Sequence, residues 1–241
     1  MAAHLLRHAQ ALSSEHGLLL ALVDVGTAFW LVLYVLAIIA GFKGQTYAIP
    51  LLAICANFTW ELIAAVWRIA PERLWHYGDI LWLCLDAVVV WTLLRYGRAR
   101  QTIPEIQRGF YLILPGTFLL ALVVQYSLES ALDDRWGFLD AYIISVMMSV
   151  LFFFLYFQRR ETDHLTYAIA WCKLFGNGLT SAGFVFLYRE FYSGEEQLPL
   201  LHVLCLMNVA LDAGYVVLLA KARRASTSRA APANSSFGLS R

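Results

Sequence analysis

The sequence has little charge for its length. Only 15% of its 241 residues are charged, whereas 60% are hydrophobic, and a soluble domain usually carries roughly 25% charged residues. The deficit predicts that most of the surface faces lipid. The formal net charge is only +1, so the chain lacks the basic surplus typical of a nucleic-acid-binding protein and we expect no such partner.

Metal-binding motifs are also scarce in the sequence. The four cysteines form no CxxC pair, have no histidine at ligand spacing and are expected to be small core side chains: Cys55, Cys84, Cys172 and Cys205. No apolar segment contains a DDxxD pattern, and the Asp133-Asp134 pair lacks a third acid at the required spacing. A membrane prenyltransferase, which binds diphosphate through metal-bound carboxylates, is therefore disfavoured.

Long apolar segments are what the sequence does have. A spanning helix needs about 20 mostly apolar residues, whereas barrel strands would be about 10 residues long and strictly alternating. The sequence predicts an all-α, polytopic membrane protein with a seven-transmembrane-helix bundle over residues 1–221 and a disordered tail over 222–241. The predicted spans are 18–40, 47–69, 79–97, 110–129, 137–157, 165–188 and 198–221.

The basic residues predict the orientation of this bundle. Twelve Lys and Arg residues lie in or beside the first, third and fifth loops and after the last helix, against five on the other side. The positive-inside rule then places the N-terminus outside and the C-terminus in the cytoplasm. We expect a multi-pass protein of a bacterial inner membrane or the endoplasmic reticulum. Because the loops are short, any site must lie among the helices.

Two predicted helices carry an asparagine and an acid four residues apart. These pairs are Asn57 with Glu61 and Asn208 with Asp212, and Tyr215 follows on the face of the second pair. Ionisable residues within a bilayer are costly and usually face the bundle interior. A carboxyl group in an apolar site tends to keep its proton. No basic residue is spaced to neutralise both acids, so we expect Glu61 and Asp212 to meet in a dry chamber as proton donors.

Other polar residues within the spans have alternative interpretations. Asp86 or Asp24 could form a structural ion pair with Lys173. Asn177, like the two asparagines above, could orient an acid or simply join helices through hydrogen bonds. Three residues are expected to be interfacial instead: Gln125, Glu129 and Asp140.

Tryptophans within the spans are candidates for contact with a cation. Aromatic ring faces attract cations, so a carbocation could be stabilised there without being captured by a nucleophile. The alternative is that each ring packs against a helix or faces lipid. The tryptophans concerned are Trp60, Trp82, Trp91 and Trp171.

The Asn57-x-x-Trp60-Glu61 pattern, Asp212 and seven short-looped helices in one chain resemble a known family. It comprises the transmembrane terpene cyclases of meroterpenoid and indole-terpenoid biosynthesis, of the paspaline and pyripyropene types, with bacterial relatives. The resemblance covers the spans but not the tail. It implies protonation of a terminal epoxide or alkene on a prenyl chain attached to an aromatic or indole head group. A carbocation cascade then closes the rings.

The resemblance maps the essential acid pair of the family onto Glu61 and Asp212, and we assign roles to these two residues and to those nearby. Glu61 would be the general acid, while Asp212 would orient it, share its proton or accept one at the end. Asn57 and Asn208 would hold the acids. Trp60, Trp82 and Trp171 would stabilise the cation, and Asp86, Asn177 and Tyr215 would complete the site. No metal or other cofactor is expected, because no diphosphate leaves. The substrate would enter from the bilayer, with a prenyltransferase and a flavin epoxidase as pathway partners.

Two other classes of membrane protein remain as alternatives. The first is a heptahelical receptor or photosensor; a retinal protein of this kind would need a Schiff-base lysine, usually in its last helix, where only Lys221 occurs, at the membrane edge. A small proton-coupled transporter would show repeats or broken helices. The sequence has no convincing repeat, and Pro50 and Pro115 lie near the predicted starts of their helices, where proline is tolerated.

Overall fold

The structure is a computed structural model, and it describes residues 16–68, 73–160, 164–191 and 198–230. All regular structure in these ranges is helical, which confirms the predicted all-α, polytopic class. The helices are α1 (Gly17–Gly44), α2 (Leu51–Ile63), α3 (Arg73–Tyr96), α4 (Pro104–Ala131), α5 (Phe138–Arg159), α6 (His164–Phe191) and α7 (Leu198–Ala230). A π-helical turn, Ala64–Arg68, extends α2, and a 3₁₀ turn, Arg98–Arg100, precedes α4.

Six of these seven helices contain a segment long and apolar enough to cross a membrane. The segments are Gly17–Gly44, Leu51–Arg68, His76–Tyr96, Pro104–Ala131, Phe138–Arg159 and Leu198–Ser226. The remaining helix, α6, carries Lys173 and Asn177 in its middle. Among the described helices, α6 and α1 form the most extensive contact, and α6 also contacts α7. Its polar side chains therefore lie inside the bundle.

The close approach of α1 and α6 depends on small residues. A Cβ atom at Gly26 would lie 2.9 Å from the carbonyl oxygen of Gly176 and would overlap the side chain of Thr180. Glycine therefore lets the two backbones come together, as small residues commonly do between membrane helices.

Two helix boundaries differ from the sequence-based prediction. Helix α4 begins at Pro104, so Pro115 lies inside the helix rather than near its start. Helix α7 runs on to Ala230, so the part of the predicted disordered tail before residue 231 is helical. Alanine and arginine are good helix formers, which allows the helix to continue beyond its apolar segment. Residues 231–241 lie outside the described residues.

The polarity of the bundle is inverted relative to a soluble protein. Large aliphatic side chains such as Leu112 and Leu206 point outward, while Lys173, Asn208 and Asp212 are almost fully buried. This distribution fits a lipid-facing surface, because lipid solvates the outward apolar side chains and the buried polar groups pair with one another.

Three residues predicted to be interfacial contact neighbouring helices. Gln125 is buried and donates a hydrogen bond to the carbonyl oxygen of Ala56, and Asp140 is also buried. Glu129 forms an ion pair with Arg68. These residues lie near helix ends, but neighbouring helices cover them, which their position in the sequence does not reveal.

Among the cysteines, Cys55 and Cys205 are buried as predicted, Cys172 is half-buried, and Cys84 is exposed on the outer face of α3.

Candidate active site

A cavity of about 840 Å³ lies among α1, α2, α3, α5 and α6, toward the end of the bundle where α1 begins and α2 ends. Its volume falls within the ~300–1,000 Å³ typical of small-molecule sites. Aromatic and apolar side chains form much of the wall: Trp30, Tyr34, Trp60, Trp82, Met148 and Phe184. Polar side chains contribute at a few positions: Asp24, Asn57, Glu61, Arg68, Asp79, Ser145 and Asn177.

Glu61 places a buried carboxyl group in this wall. It lies one helical turn after Asn57 on α2, and only 6% of the residue is exposed. Its Oε2 atom is buried and has no hydrogen-bond partner in the part of the chain that the structure describes. The charged groups that act on it are those of Asp86, Asp79 and Arg68. Glu61 is thus a carboxyl group without a donor that would stabilise its anion.

Asp86 lies beside Glu61 and is fully hydrogen-bonded. The Tyr34 hydroxyl donates to Oδ1 at 2.9 Å, and the Asn57 amide donates to Oδ2 at 2.9 Å. Tyr34 and Asn57 line the cavity, so Asp86 lies directly behind its wall. Asn57, which was predicted to hold Glu61, holds Asp86 instead because α3 packs against α2 and brings this carboxyl within reach.

Asp212 has a basic partner, contrary to the prediction. Its Oδ1 accepts a hydrogen bond from the Lys173 ammonium at 2.8 Å, and its Oδ2 accepts one from the Asn177 amide at 2.6 Å. The predicted pairing of Lys173 with Asp86 or Asp24 is therefore wrong. Helix α6 packs against α7, which carries Asp212, whereas Asp86 is held on the α1–α2 side and Asp24 is exposed on α1.

Glu61 and Asp212 do not form the close pair that the sequence suggested. Asp212 is absent from the lining of the cavity and from the charged neighbours of Glu61. It is hydrogen-bonded to Asn177, which lines the wall. Two separate polar networks therefore border the cavity: one around Asp86 on the α1–α3 side, and one around Asp212 on the α5–α7 side.

Of the predicted tryptophans, Trp60 and Trp82 line the cavity. The Trp60 indole donates to the Gly137 carbonyl oxygen at 2.9 Å, and the Arg68 guanidinium lies 4.6 Å from the centroid of its ring. The Trp82 ring meets the Tyr34 ring edge-on, with centroids 5.2 Å apart. Trp60 and Trp82 are thus fixed in the wall by contacts on other elements.

Four other predicted residues lie outside the cavity. Trp171 is 36% exposed and stacks on Phe175, and Trp91 faces outward. Tyr215 packs against the ring of Phe152 beside a separate, smaller cavity. Asn208 is buried and weakly accepts a hydrogen bond from Ser149, rather than holding Asp212. None of the four is among the residues that line the cavity, and spacing along one helix could not show this before the helices were arranged.

Sequence reasoning missed Trp30 and Tyr34 on α1 and Ser145 on α5. The signal for the first two was available: Thr27, Trp30 and Tyr34 are spaced three and four residues apart and share a helix face. Ser145 also had a signal, because Ser149 follows it four residues later in an otherwise apolar segment and shares its helix face.

Arg68, which lines the cavity, is bound to α4 and to the segment before α5. The Arg68 guanidinium donates to Glu129 at 2.8 Å and to the Trp136 carbonyl oxygen at 2.7 Å. It projects from the π-helical turn that follows Glu61, and such turns are frequent at functional sites. In the described ranges, no group of three His, Cys, Asp or Glu side chains is arranged to hold a metal ion.

Comparison with known proteins identifies the family. The chain is 25% identical to terpene cyclase dpmaB of Metarhizium anisopliae over 81% of its own length and 82% of the relative. It is 24% identical to the Pyr4-family terpene cyclase mfmH of Annulohypoxylon moriforme, over 67% and 68%. It is 26% identical to terpene cyclase ascF of Acremonium egyptiacum over 46% of the chain, and this match spans only 40% of that relative.

No solved structure matches the chain. The family model described as Pyr4-like transmembrane terpene cyclases matches residues 13–225, which include every helix that borders the cavity. The chain therefore belongs to the Pyr4-like family of transmembrane terpene cyclases.

Proposed function

We propose that the protein is a membrane terpene cyclase that protonates a terminal epoxide, or a terminal alkene, of a prenylated aromatic or indole substrate and guides the resulting carbocation cascade. The observation that carries the proposal is the buried, unpartnered carboxyl oxygen of Glu61 in the wall of a largely aromatic cavity. Membership of a terpene cyclase family supports the same reaction class.

Glu61 is the proposed proton donor because of how the neighbouring charges are arranged. Two nearby carboxyl groups in an apolar site share their charge unequally, and hydrogen bonds to one of them favour its ionised form. Asp86 accepts a hydrogen bond at each oxygen and so carries the negative charge. Glu61 Oε2 has no such donor among the described residues, and the carboxyl group keeps its proton for a weakly basic substrate oxygen.

The proposed reaction balances without a co-reactant. The Glu61 proton moves to the epoxide oxygen, the C–O bond breaks, and a hydroxyl group and a tertiary carbocation form. Each alkene then attacks the cation in turn, until loss of a proton from carbon ends the cascade. Glu61 regains one proton, so the net reaction is an isomerisation. No bond to diphosphate breaks, so the proposed chemistry does not require a metal ion.

The cavity wall suits the cation that this reaction creates. The rings of Trp30, Tyr34 and Trp82 present π-electrons, and each favourable cation–π contact contributes about 0.5–2 kcal/mol. Asp86 adds a negative charge directly behind Tyr34 and Asn57. The wall can therefore stabilise positive charge.

The predicted orientation and partners belong to the same proposal. A prenyl chain is soluble in the bilayer and would enter the cavity from there, while a prenyltransferase and a flavin epoxidase would supply the substrate. With the N-terminus outside, the cavity lies toward the non-cytoplasmic side, because α1 begins and α2 ends there. Family membership favours this reading over a photosensor or a transporter.

The test is the variant Glu61→Gln, expressed in membranes and supplied with an indole that carries a terminally epoxidised farnesyl chain. Removal of a general acid typically lowers the rate by about 10²–10⁴-fold, and we expect a loss of that order. The matched control is Glu105→Gln, an exposed acid at the start of α4. If Glu61→Gln cyclises the probe at the wild-type rate and at a normal protein level, the proposal fails.

A further inference from the structure

The ion pair between Lys173 and Asp212 is buried inside the bundle. Lys173 is 2% exposed and Asp212 3%, and their charged atoms lie 2.8 Å apart. The Lys173 ammonium also donates to the Ser149 hydroxyl and lies 5.8 Å from the ring centroid of Trp30, a cavity residue. A buried ammonium requires an anionic partner in contact, so Asp212 is held as a carboxylate.

An ionised Asp212 determines how Asn177 must be oriented. A carboxylate can only accept hydrogen bonds, whereas a side-chain amide has a donor end and an acceptor end. Asn177 therefore turns its nitrogen toward Asp212, at 2.6 Å, and its oxygen toward Ser145, whose hydroxyl donates to it at 3.1 Å. Both Asn177 and Ser145 line the cavity. The negative charge on Asp212 thus fixes the orientation of the Asn177 amide in the cavity wall.

We propose that Lys173 and Asp212 are positioning residues that act on the cyclisation through Asn177. The pair keeps the Asn177 carbonyl oxygen on the side of Ser145, so that the two oxygen atoms form an electron-rich patch on the α5–α6 wall. The patch attracts the cation formed late in the cascade and limits which carbon loses the final proton. This inference rests on the proposed function, since it needs a cation in the cavity.

Asp212 is then a positioning residue and not a second acid. An acid would need a proton to give and a path to the substrate, whereas Asp212 is paired with an ammonium and separated from the cavity by Asn177. If the role is positioning, the carboxyl group becomes dispensable once the buried ammonium is removed with it. If the role is acid–base chemistry, removing both charges restores nothing.

The experiment compares Asp212→Asn, Lys173→Met, the double variant Lys173→Met/Asp212→Asn, and Asn177→Leu, with Lys221→Met on the exposed end of α7 as control. Each variant receives the epoxyfarnesyl indole. Two quantities are measured for each amount of folded protein: the rate at which the epoxide is consumed, and the share of by-products with another ring pattern or alkene position.

The single charge variants should consume the epoxide about a hundredfold more slowly or worse, because each leaves one buried charge unpaired. The double variant should return to within about tenfold of the wild type, because it leaves no buried charge. Its by-product share should stay raised by about fivefold, as expected for loss of one neutral polar contact. Asn177→Leu should raise the by-product share similarly, and Lys221→Met should match the wild type.

Three results would overturn the inference. The first is a folded double variant as inactive as Asp212→Asn, which would make the carboxyl group itself necessary. The second is a double variant with the wild-type product distribution, and the third is Asn177→Leu with that distribution. Loss of activity in Glu61→Gln is measured separately, so failure of the positioning role and failure of the proposed reaction can be distinguished.

Discussion

Replacing Asp86 with asparagine tests whether the buried carboxylate beside Glu61 stabilises the carbocation. Asp86 is 1% exposed and accepts hydrogen bonds from Tyr34 and Asn57, both of which line the cavity. Asparagine has nearly the same shape but no charge. One of its ends becomes a donor, and the Tyr34 hydroxyl can rotate to accept from it.

The expected size of the effect follows from this geometry. The Asp86 oxygens lie 2.9 Å from the polar atoms of Tyr34 and Asn57, and these two side chains separate Asp86 from the cavity. A cation in the cavity therefore lies roughly 8 Å from the carboxylate, a distance at which Coulomb attraction still acts. At an effective dielectric constant of about 20, two unit charges at that distance attract by about 2 kcal/mol. Loss of this attraction should slow cyclisation by about 30-fold.

Stability should respond in the opposite direction. Burying a charge is costly, and replacing buried charged groups with neutral ones of similar shape is often neutral or stabilising. We therefore expect Asp86→Asn to unfold at the wild-type temperature or above while turning over slowly. A merely structural carboxylate would instead lose stability and activity together.

The assay measures cyclisation of the epoxyfarnesyl indole and the thermal unfolding of the same preparation in detergent. The control is Asp133→Asn, the same substitution at a residue whose side chain is 80% exposed in a loop. If Asp86→Asn cyclises the probe as fast as the wild type, the carboxylate is not the charge that stabilises the cation, and the reasoning given for Glu61 and Asp86 is refuted.

Two further predictions concern a glycine and a pair of tryptophans. Gly137 has a φ of +70° and its Cβ position is occupied by the Arg68 guanidinium, so Gly137→Ala should cost about 1–2 kcal/mol from the backbone alone and lower the unfolding temperature by about 4 °C or more. Gly116→Ala, where a Cβ meets nothing within 4 Å, is the control, and equal unfolding temperatures for the two variants would contradict the prediction. Trp82→Leu should slow cyclisation by about tenfold through loss of a cation–π contact, whereas Trp171→Leu, outside the cavity, should cyclise the probe at the wild-type rate. An equal loss of rate in both would show that the cavity wall has been assigned incorrectly.

The sequence alone determined the class of fold and the helix face that carries Glu61. Apolar segments long enough to span a bilayer leave few alternatives to helices, because every backbone group must be hydrogen-bonded within the membrane. The four-residue spacing of Asn57 and Glu61 likewise fixed a shared helix face, since helical periodicity is a local property. Both inferences depend only on neighbours along the chain, and the structure bears them out.

Only the tertiary structure decided which polar residues become partners. Lys173 could have met several aspartates, and it meets Asp212 because α6 packs against α7. Asp86 is bound by Tyr34 and Asn57 because α1, α2 and α3 converge at that depth. Spacing along one helix sets the face on which a side chain lies, but not which helix stands opposite. For that reason the sequence led to the prediction that Glu61 and Asp212 meet, whereas the packing of the helices places them in separate networks on two sides of one cavity.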